Sequence, residues 1–515
     1  MPVHRGCSPI FVAFPAALAL YCFVMERTWS MERGTWPLLC LALATMIAHA
    51  FTGAAFGFHG DELQFMDDAR HLAWGYVAYP PMTPFFARLS LDLFGTSIAG
   101  FRFFASLAQA VAIILTGLMA REMGGSVRAQ VLAGAALVPY ALGAGALMVY
   151  NSFDNICWIL AAWFVVKLLR SGDARWWVAV GAAVGFGMMA KYAMAFFAAA
   201  IVGGFLVTDA RRYLASRWLW AGGAAALLIW APNLVWEARH HLVSLDFLRS
   251  IHARDVSLGR TQSFLPDQID HTIAVLWIAG LFFCLKNDSG KRFRTVGWMY
   301  LILFAAFLIA RGNGYYLAAG YPMLYAAGSV QWEQRLASRP TRQRSLWRVT
   351  WAVVAAAAVI AAVVALPIGP PRSLQWKLRE TELRDEIGWE DLVATVARVR
   401  DSIPFADRGR LAVLTGSYSV AGAVDLYGGR YGLPAAISRI NSYGERGYGD
   451  PPPETVIAIG FPREFLESRF ASCRPAAQIR NRYGIVNRSY LQGVFVCRGL
   501  NEGWPKFWDE LPRFG

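Results

Sequence analysis

Residues 37–62 read PLLCLALATMIAHAFTGAAFGFHGDE: a stretch free of Lys, Arg, Asp and Glu that runs straight into two adjacent carboxylates, Asp61 and Glu62. A helix needs about 20 mostly apolar residues to cross a bilayer, so 37–57 reads as a membrane span with acids at its end. The pattern recurs over 98–120, 129–150, 153–169, 176–190, 192–208, 218–235, 272–286, 296–310, 315–331 and 349–368. Several of these runs are short, which tilt or local thinning of the bilayer accommodates. A twelfth run, 8–25, is either an additional span or a signal-like segment, with Met25 and Met31 as alternative starts. The expected fold class is an α-helical polytopic membrane protein with about 11–12 spans.

Composition agrees. Of the 515 residues 56% are hydrophobic and only 16% charged, against about 25% charged in soluble domains. These values exclude a disordered or collagen-like chain. The excess of 49 Lys+Arg over 35 Asp+Glu gives a net charge of +14. It is not the footprint of a nucleic-acid binder, because the basic residues are scattered among loop ends rather than gathered on one face. Arg121 and Arg128, Lys167 to Arg175, Arg211 to Arg217, Lys286 to Arg294 and Arg335 to Arg348 fall in alternate connections, and the excess of cations puts these on the cytoplasmic side. The opposite side receives the loops 58–97 and 236–271 and everything after 369.

The chain then divides into an N-terminal segment 1–36, a membrane domain 37–368 and a soluble segment 369–515. After Pro367-Ile368-Gly369-Pro370-Pro371 the composition turns charged and no spanning run remains. Strands are expected at Leu411 to Leu414, Thr455 to Ile459 and Gly493 to Cys497, with helices at Trp389 to Val399, Val420 to Tyr427 and Phe461 to Leu466, which make a small α/β domain. Cys7, Cys22, Cys40, Cys157 and Cys284 lie in or beside apolar runs and read as small hydrophobes. Cys473 and Cys497 are the two cysteines of the soluble segment, and an extracytoplasmic location makes a disulfide between them plausible.

A few ionisable residues sit at the outer ends of spans. Asp61 and Glu62 follow the first span and precede Tyr79-Pro80-Pro81, where paired prolines end one helix and separate two short interfacial helices, about 63–75 and 83–94. Asp154 lies in Tyr150-Asn151-Ser152-Phe153-Asp154-Asn155, a minimal outer connection, where it either caps a helix or serves the reaction. Lys191 and Arg311 end spans on the side where the charge bias would not put a cation; they either snorkel or meet an anion. His240, His241, His252 and His271 of the second outer loop show no compact metal spacing. An outer acid with outer cations suits group transfer from a lipid-linked phosphate, the acid acting as base toward an incoming hydroxyl and the cations neutralising the departing phosphate.

These residues carry a resemblance. Gly60-Asp61-Glu62, the stretch Trp74 to Pro81, and Leu93 to Ser97 followed by Phe101-Arg102 resemble the first outer loop of glycosyltransferase family 39, which includes protein O-mannosyltransferases and bacterial aminoarabinose transferases. Met189-Ala190-Lys191-Tyr192 and Tyr315-Tyr316 with Tyr321-Pro322 resemble later signatures. Ala421 to Gly428, Gly432-Leu433-Pro434 and Ile440 to Tyr443 resemble the C-terminal domain of a bacterial subgroup.

The resemblance implies a C-type glycosyltransferase fold in a bacterial inner membrane and a polyprenyl-phosphate sugar donor. It also implies inverting transfer, at the outer face, to a lipid, glycan or protein acceptor. It makes Asp61 the catalytic base, Glu62 and Asp154 supporting acids, and Lys191 the contact to the donor phosphate, with Arg311 beside it. Tyr79, Tyr315 and Tyr316 become substrate contacts. Glu62 and Asp154 would hold a divalent cation if the reaction uses one, though the sequence offers no complete ligand set. Two departures stand out: Tyr79 replaces a lysine before the paired prolines, and Asn313 replaces a lysine in the glycine-tyrosine motif. The competing reading is a transporter or lipid-carrier flippase, which would show internal repeats or charge at mid-membrane; neither is seen in the sequence. The topology makes a direct prediction: a reporter fused after Gly515 is active only in an exported form, and cytoplasmic activity would reverse the orientation.

Overall fold

The computed structural model describes residues 35–515, apart from Ala54, His271 and the side chains of Arg372, Arg379 and Glu380. The run 8–25, the starts Met25 and Met31, and Cys7, Cys22 and His271 lie outside the described residues.

Each of the eleven apolar runs lies on a helix. The first, α1 (Thr35–Thr52), is followed by two short helices of the outer loop, α2 (Gly60–Arg70) and α3 (Met82–Phe94). Then come α4 (Phe103–Glu122), α5 (Val127–Ala144), α6 (Tyr150–Ser171), α7 (Trp176–Ala190), α8 (Met194–Leu206) and α9 (Arg217–Arg239). The second outer loop holds α10 (Val243–Ser257) and α11 (Phe264–Asp270), and the membrane part closes with α12 (Ala274–Lys286), α13 (Arg294–Ile309), α14 (Tyr321–Ala337) and α15 (Gln343–Ala365). Among the described residues seven helices are long and apolar enough to cross a bilayer unaided, or up to nine if two bent pairs each count as one. The others, α7 among them, are the short runs already seen in the sequence.

The bundle is layered. Helix α6 is the most enclosed, with Trp158 and Trp163 buried at its centre. At the periphery α15 buries only Trp347 and Val354 and leaves its apolar faces to lipid. Lipid gives apolar side chains no solvent-driven reason to leave it, so helices associate where small residues let backbones approach. Gly181 of α7 and Gly222 of α9 do this: a Cβ on Gly181 would collide with the Gly222 carbonyl, and one on Gly222 with the Trp177 carbonyl. Gly280 and Gly328 make the same close approach between α12 and α14.

Beyond Ala365, short turns lead to α16 (Trp389–Asp401) and a five-stranded sheet. Its elements are β1 (Leu411–Thr415), α17 (Tyr418–Tyr427), β2 (Ala436–Ile437), β3 (Thr455–Ile459), α18 (Arg463–Arg469), β4 (Phe470–Gln478), β5 (Gly493–Leu500) and α19 (Trp504–Glu510). The strand order is β2-β1-β3-β5-β4, with β1 parallel to β2 and β3, and β5 antiparallel to β3 and β4. The three expected strands are present. Strand β4 escapes a sequence reading because Pro475 interrupts it and most of its residues are not buried, as an edge strand permits. Cys473 and Cys497 are direct cross-strand partners on β4 and β5, and a disulfide joins them.

A buried ion pair fixes how the parts meet. Arg102 donates to Glu62 through Nε at 2.9 Å and Nη2 at 2.6 Å, and neither residue is more than 4% exposed. The same guanidinium reaches the carbonyls of Gly53 at 3.0 Å and Gly57 at 3.3 Å, and the carboxylate of Glu386 at 3.3 Å. Glu62 also accepts the backbone N–H groups of His59 at 2.9 Å and Met148 at 2.8 Å. The end of α1 and the starts of α2, α4 and the soluble segment therefore converge on one cation. Removing one partner of such a pair strands a buried charge and costs about 3–5 kcal/mol. Arg102→Met should accordingly lower thermal stability in detergent by far more than Arg88→Met, whose exposed pair with Asp92 is worth at most about 1 kcal/mol; equal melting temperatures would contradict this.

Candidate active site

Asp61 stands on the first turn of α2, whose start is organised around it. His59 is the N-cap: its Nδ1 accepts the Asp61 backbone N–H at 3.2 Å, and Glu62 caps the His59 N–H in return. Consecutive helix positions point about 100° apart, so the two acids part company. Glu62 turns inward to Arg102, while Asp61, its side chain 45% exposed, faces a cavity of about 1420 Å³. This exceeds the ~300–1,000 Å³ of ordinary ligand pockets. Leu137, Met188, Phe196 and Leu234, from four membrane helices, give the cavity an apolar wall, and polar residues of the outer segments form the rest.

Lys191 enters this cavity from the connection between α7 and α8. Its Nζ donates to Asn151 Oδ1 at 2.9 Å and lies 4.9 Å from the Tyr150 ring, 5.2 Å from Tyr315 and 5.1 Å from Tyr316. The three rings hold the ammonium by their negative faces and leave it in the wall without a carboxylate bonded to it. Tyr315 and Tyr316 thus serve Lys191 as well as lining the cavity. Asp154, one turn into α6, accepts the Trp158 indole N–H at 2.9 Å and is close enough to Lys191 to act on its charge, but it does not form the cavity wall.

Three expected positions differ. Arg311 is exposed and is not part of the cavity wall, so it is not brought together with Lys191. Arg254 and Arg260 supply cations instead. Both belong to the second outer loop and pair with Asp255, Arg260 at 3.1 Å, and Asn313 donates to the other oxygen of that carboxylate at 2.8 Å. Glu62 is enclosed by Arg102 and faces away from the substrate space. Tyr79 lines the cavity, but its hydroxyl is committed to Asp68 at 2.7 Å. Arg446 of the soluble domain clamps the same acids, reaching Asp67 and, at 2.8 Å, Asp68. Burial pushes the Asp68 carboxyl up to about 7, against the pull of Arg446.

Neither does a metal set form from Glu62 and Asp154. Among the described residues the group with suitable spacing is His59, Glu382 and Asp385, whose ligand atoms lie within 4.8 Å of one another. A guanidinium already serves it: Arg488 Nε is 3.3 Å from Asp385 and Nη2 is 3.9 Å from Glu382. His59 Nδ1 is meanwhile engaged by the Asp61 N–H. Its buried Nε2 has no hydrogen-bond partner among the described residues, so the group that competes with a cation here is the Arg488 guanidinium.

Sequence reasoning missed Arg254, Arg260, Tyr418 and Arg488. For the two loop arginines the signal was available, since cations on the outer side defy the charge bias just as Lys191 does. For Tyr418 and Arg488, more than 350 residues from Asp61 in the chain, no local signal exists.

Residues 78–236 match the family model described as dolichyl-phosphate-mannose-protein mannosyltransferase. ArnT from Cupriavidus metallidurans has the same fold. In its apo state it superposes with a TM-score of 0.61, and bound to undecaprenyl phosphate with 0.59, each at 15% identity over 90% of this chain and 98% of that one. No curated protein matches the sequence. The structural likeness shows that the chain shares the ArnT fold, and the family match over 78–236 points in the same direction. The match lies in the part of the chain that holds the first-loop motifs, and the fold is the one expected from them.

A caged ammonium in a wall with an apolar floor is suited to a lipid-borne anion. Lys191→Met should weaken binding of a polyprenyl phosphate about tenfold or more, as loss of a charge-assisted hydrogen bond does, with melting temperature little changed. Unaltered affinity would return Lys191 to a packing role.

Proposed function

We propose that this protein moves a sugar from a polyprenyl-phosphate donor to an acceptor at the extracytoplasmic face, with Asp61 as general base. The observation that carries the reading is one shared cavity: a half-exposed carboxylate, a caged lysine and two loop arginines surround a space floored by apolar side chains. The relative of known structure was captured with undecaprenyl phosphate, which supports such a donor here.

The chemistry follows from the charges. Asp61 takes the proton of the acceptor's nucleophilic O–H or N–H, and that atom bonds the anomeric carbon as the bond from that carbon to the phosphate oxygen breaks. The electron pair leaves with the polyprenyl phosphate, whose gained charge Lys191, Arg254 and Arg260 are placed to meet. Phosphate departs without needing a proton, so a single carboxylate suffices, and direct displacement inverts the anomeric centre. Apolar side chains on α5, α7, α8 and α9 suit the first isoprene units. The soluble domain packs against the loop that carries Asp61, so the two share one side, which the loop charges make extracytoplasmic.

Asp61→Asn keeps shape and hydrogen bonding but removes the base. In reconstituted vesicles supplied with radiolabelled polyprenyl-phosphate sugars, it should lower transfer about 10²–10⁴-fold, the range of general-base catalysis, with folding and donor binding retained. Full activity would transfer the role to another group.

A further inference from the structure

We propose that Tyr418 of the soluble domain is a positioning residue for the base, so that the catalytic site is complete only when this domain is docked. The inference rests on the reading of Asp61 as base. The Tyr418 hydroxyl donates to Asp61 Oδ1 at 2.7 Å across 357 residues of sequence. One carboxylate oxygen is thereby engaged and Oδ2 is left to receive the acceptor's proton.

The bond depends on how two helices meet. Ser417 caps α17 by accepting the Ser419 N–H at 3.3 Å, which sets Tyr418 at its first position. Helix α17 lies on α2 so closely that a Cβ on Gly422 would sit 2.8 Å from the Leu63 carbonyl, and one on Gly60 2.7 Å from Ser419 Oγ. Asn441 adds a bond to Gln64 at 3.2 Å, and Arg446 clamps Asp67 and Asp68 at the far end of α2. Both ends of α2 are held by the soluble domain, so the phenol meets Asp61 by docking and not by chance rotation. Burial and the neighbouring Asp61 charge hold the Tyr418 phenol well above its ordinary range, so it remains a proton donor. Other groups that act on or face Asp61 are His59 on the same turn, Arg488 of the soluble domain, and the phenols Tyr79 and Tyr150.

The test compares full-length Tyr418→Phe, Asp61→Asn and wild type in vesicles, reading kcat and KM against pH. Loss of a donor to the carboxylate should lower kcat roughly tenfold, the worth of one charge-assisted hydrogen bond. It should leave KM for the polyprenyl-phosphate sugar unchanged and move the acid limb of kcat to higher pH. A purely structural role would reduce folded protein without moving that limb. If Tyr418→Phe keeps the wild-type kcat and acid limb while Asp61→Asn is inactive, the role of Tyr418 is overturned and the base reading stands. If Asp61→Asn is fully active, both fall. Should the phenylalanine variant fail to fold, 3-fluorotyrosine at 418 keeps the shape and strengthens the donor. The acid limb should then move to lower pH, and an unmoved limb overturns the proposal.

Discussion

Arg102 and Glu62 form the interaction on which the molecule's arrangement depends. A guanidinium shut away from water must be satisfied on every side, and this one is satisfied by groups from α1, α2 and the soluble segment. Such a pair is expensive to desolvate and adds little net stability over apolar packing. Its value is geometric: the entry of α2 has one position that leaves no buried charge stranded. The Trp389 indole, donating to the Phe58 carbonyl at 2.9 Å, and the Gly57 N–H, donating to Glu386 at 3.0 Å, bind the soluble segment to the same point. With α2 fixed there, Asp61 has no freedom to leave the cavity rim.

The adjacent acids show how one turn of helix separates structure from chemistry. Glu62 accepts four hydrogen bonds and has no capacity left for substrate. Asp61 keeps half its surface. The cavity repeats this division among its cations. Arg446 is consumed by Asp67 and Asp68, and Arg488 by Asp385 and Glu382, whereas Lys191 is held by aromatic faces and a neutral amide. Arg446 and Arg488 are thereby tied into the scaffold, and Lys191 keeps its charge without an ion-pair partner among the described residues.

The two lysine positions of the family pattern illustrate compensation. Tyr79 gives the loop a hydroxyl that closes on Asp68, and Asn313 gives an amide that closes on Asp255. Each of these bonds fixes an outer segment of this chain. Arg254 and Arg260 bring other cations to the cavity lining.

The apolar helices and their order were legible because hydrophobicity adds up along contiguous stretches of chain. Asp61 and Lys191 were legible because each stands at a span end where a charge has no topological reason to be. The β4 edge was not, since Pro475 breaks its periodicity. The interfacial helices were placed, but α2 begins at Gly60 instead of near 63, because His59 and Glu62 form a cap that only the folded entry completes. What the tertiary structure alone decided is the division of surroundings: that Glu62 is enclosed and Asp61 open, that Arg311 lies outside the cavity, and that Tyr418 reaches Asp61. Each depends on where a side chain points once a partner 40 to 357 residues away has docked against it. Local sequence sets which helix forms, but packing of distant elements sets which face of that helix remains free.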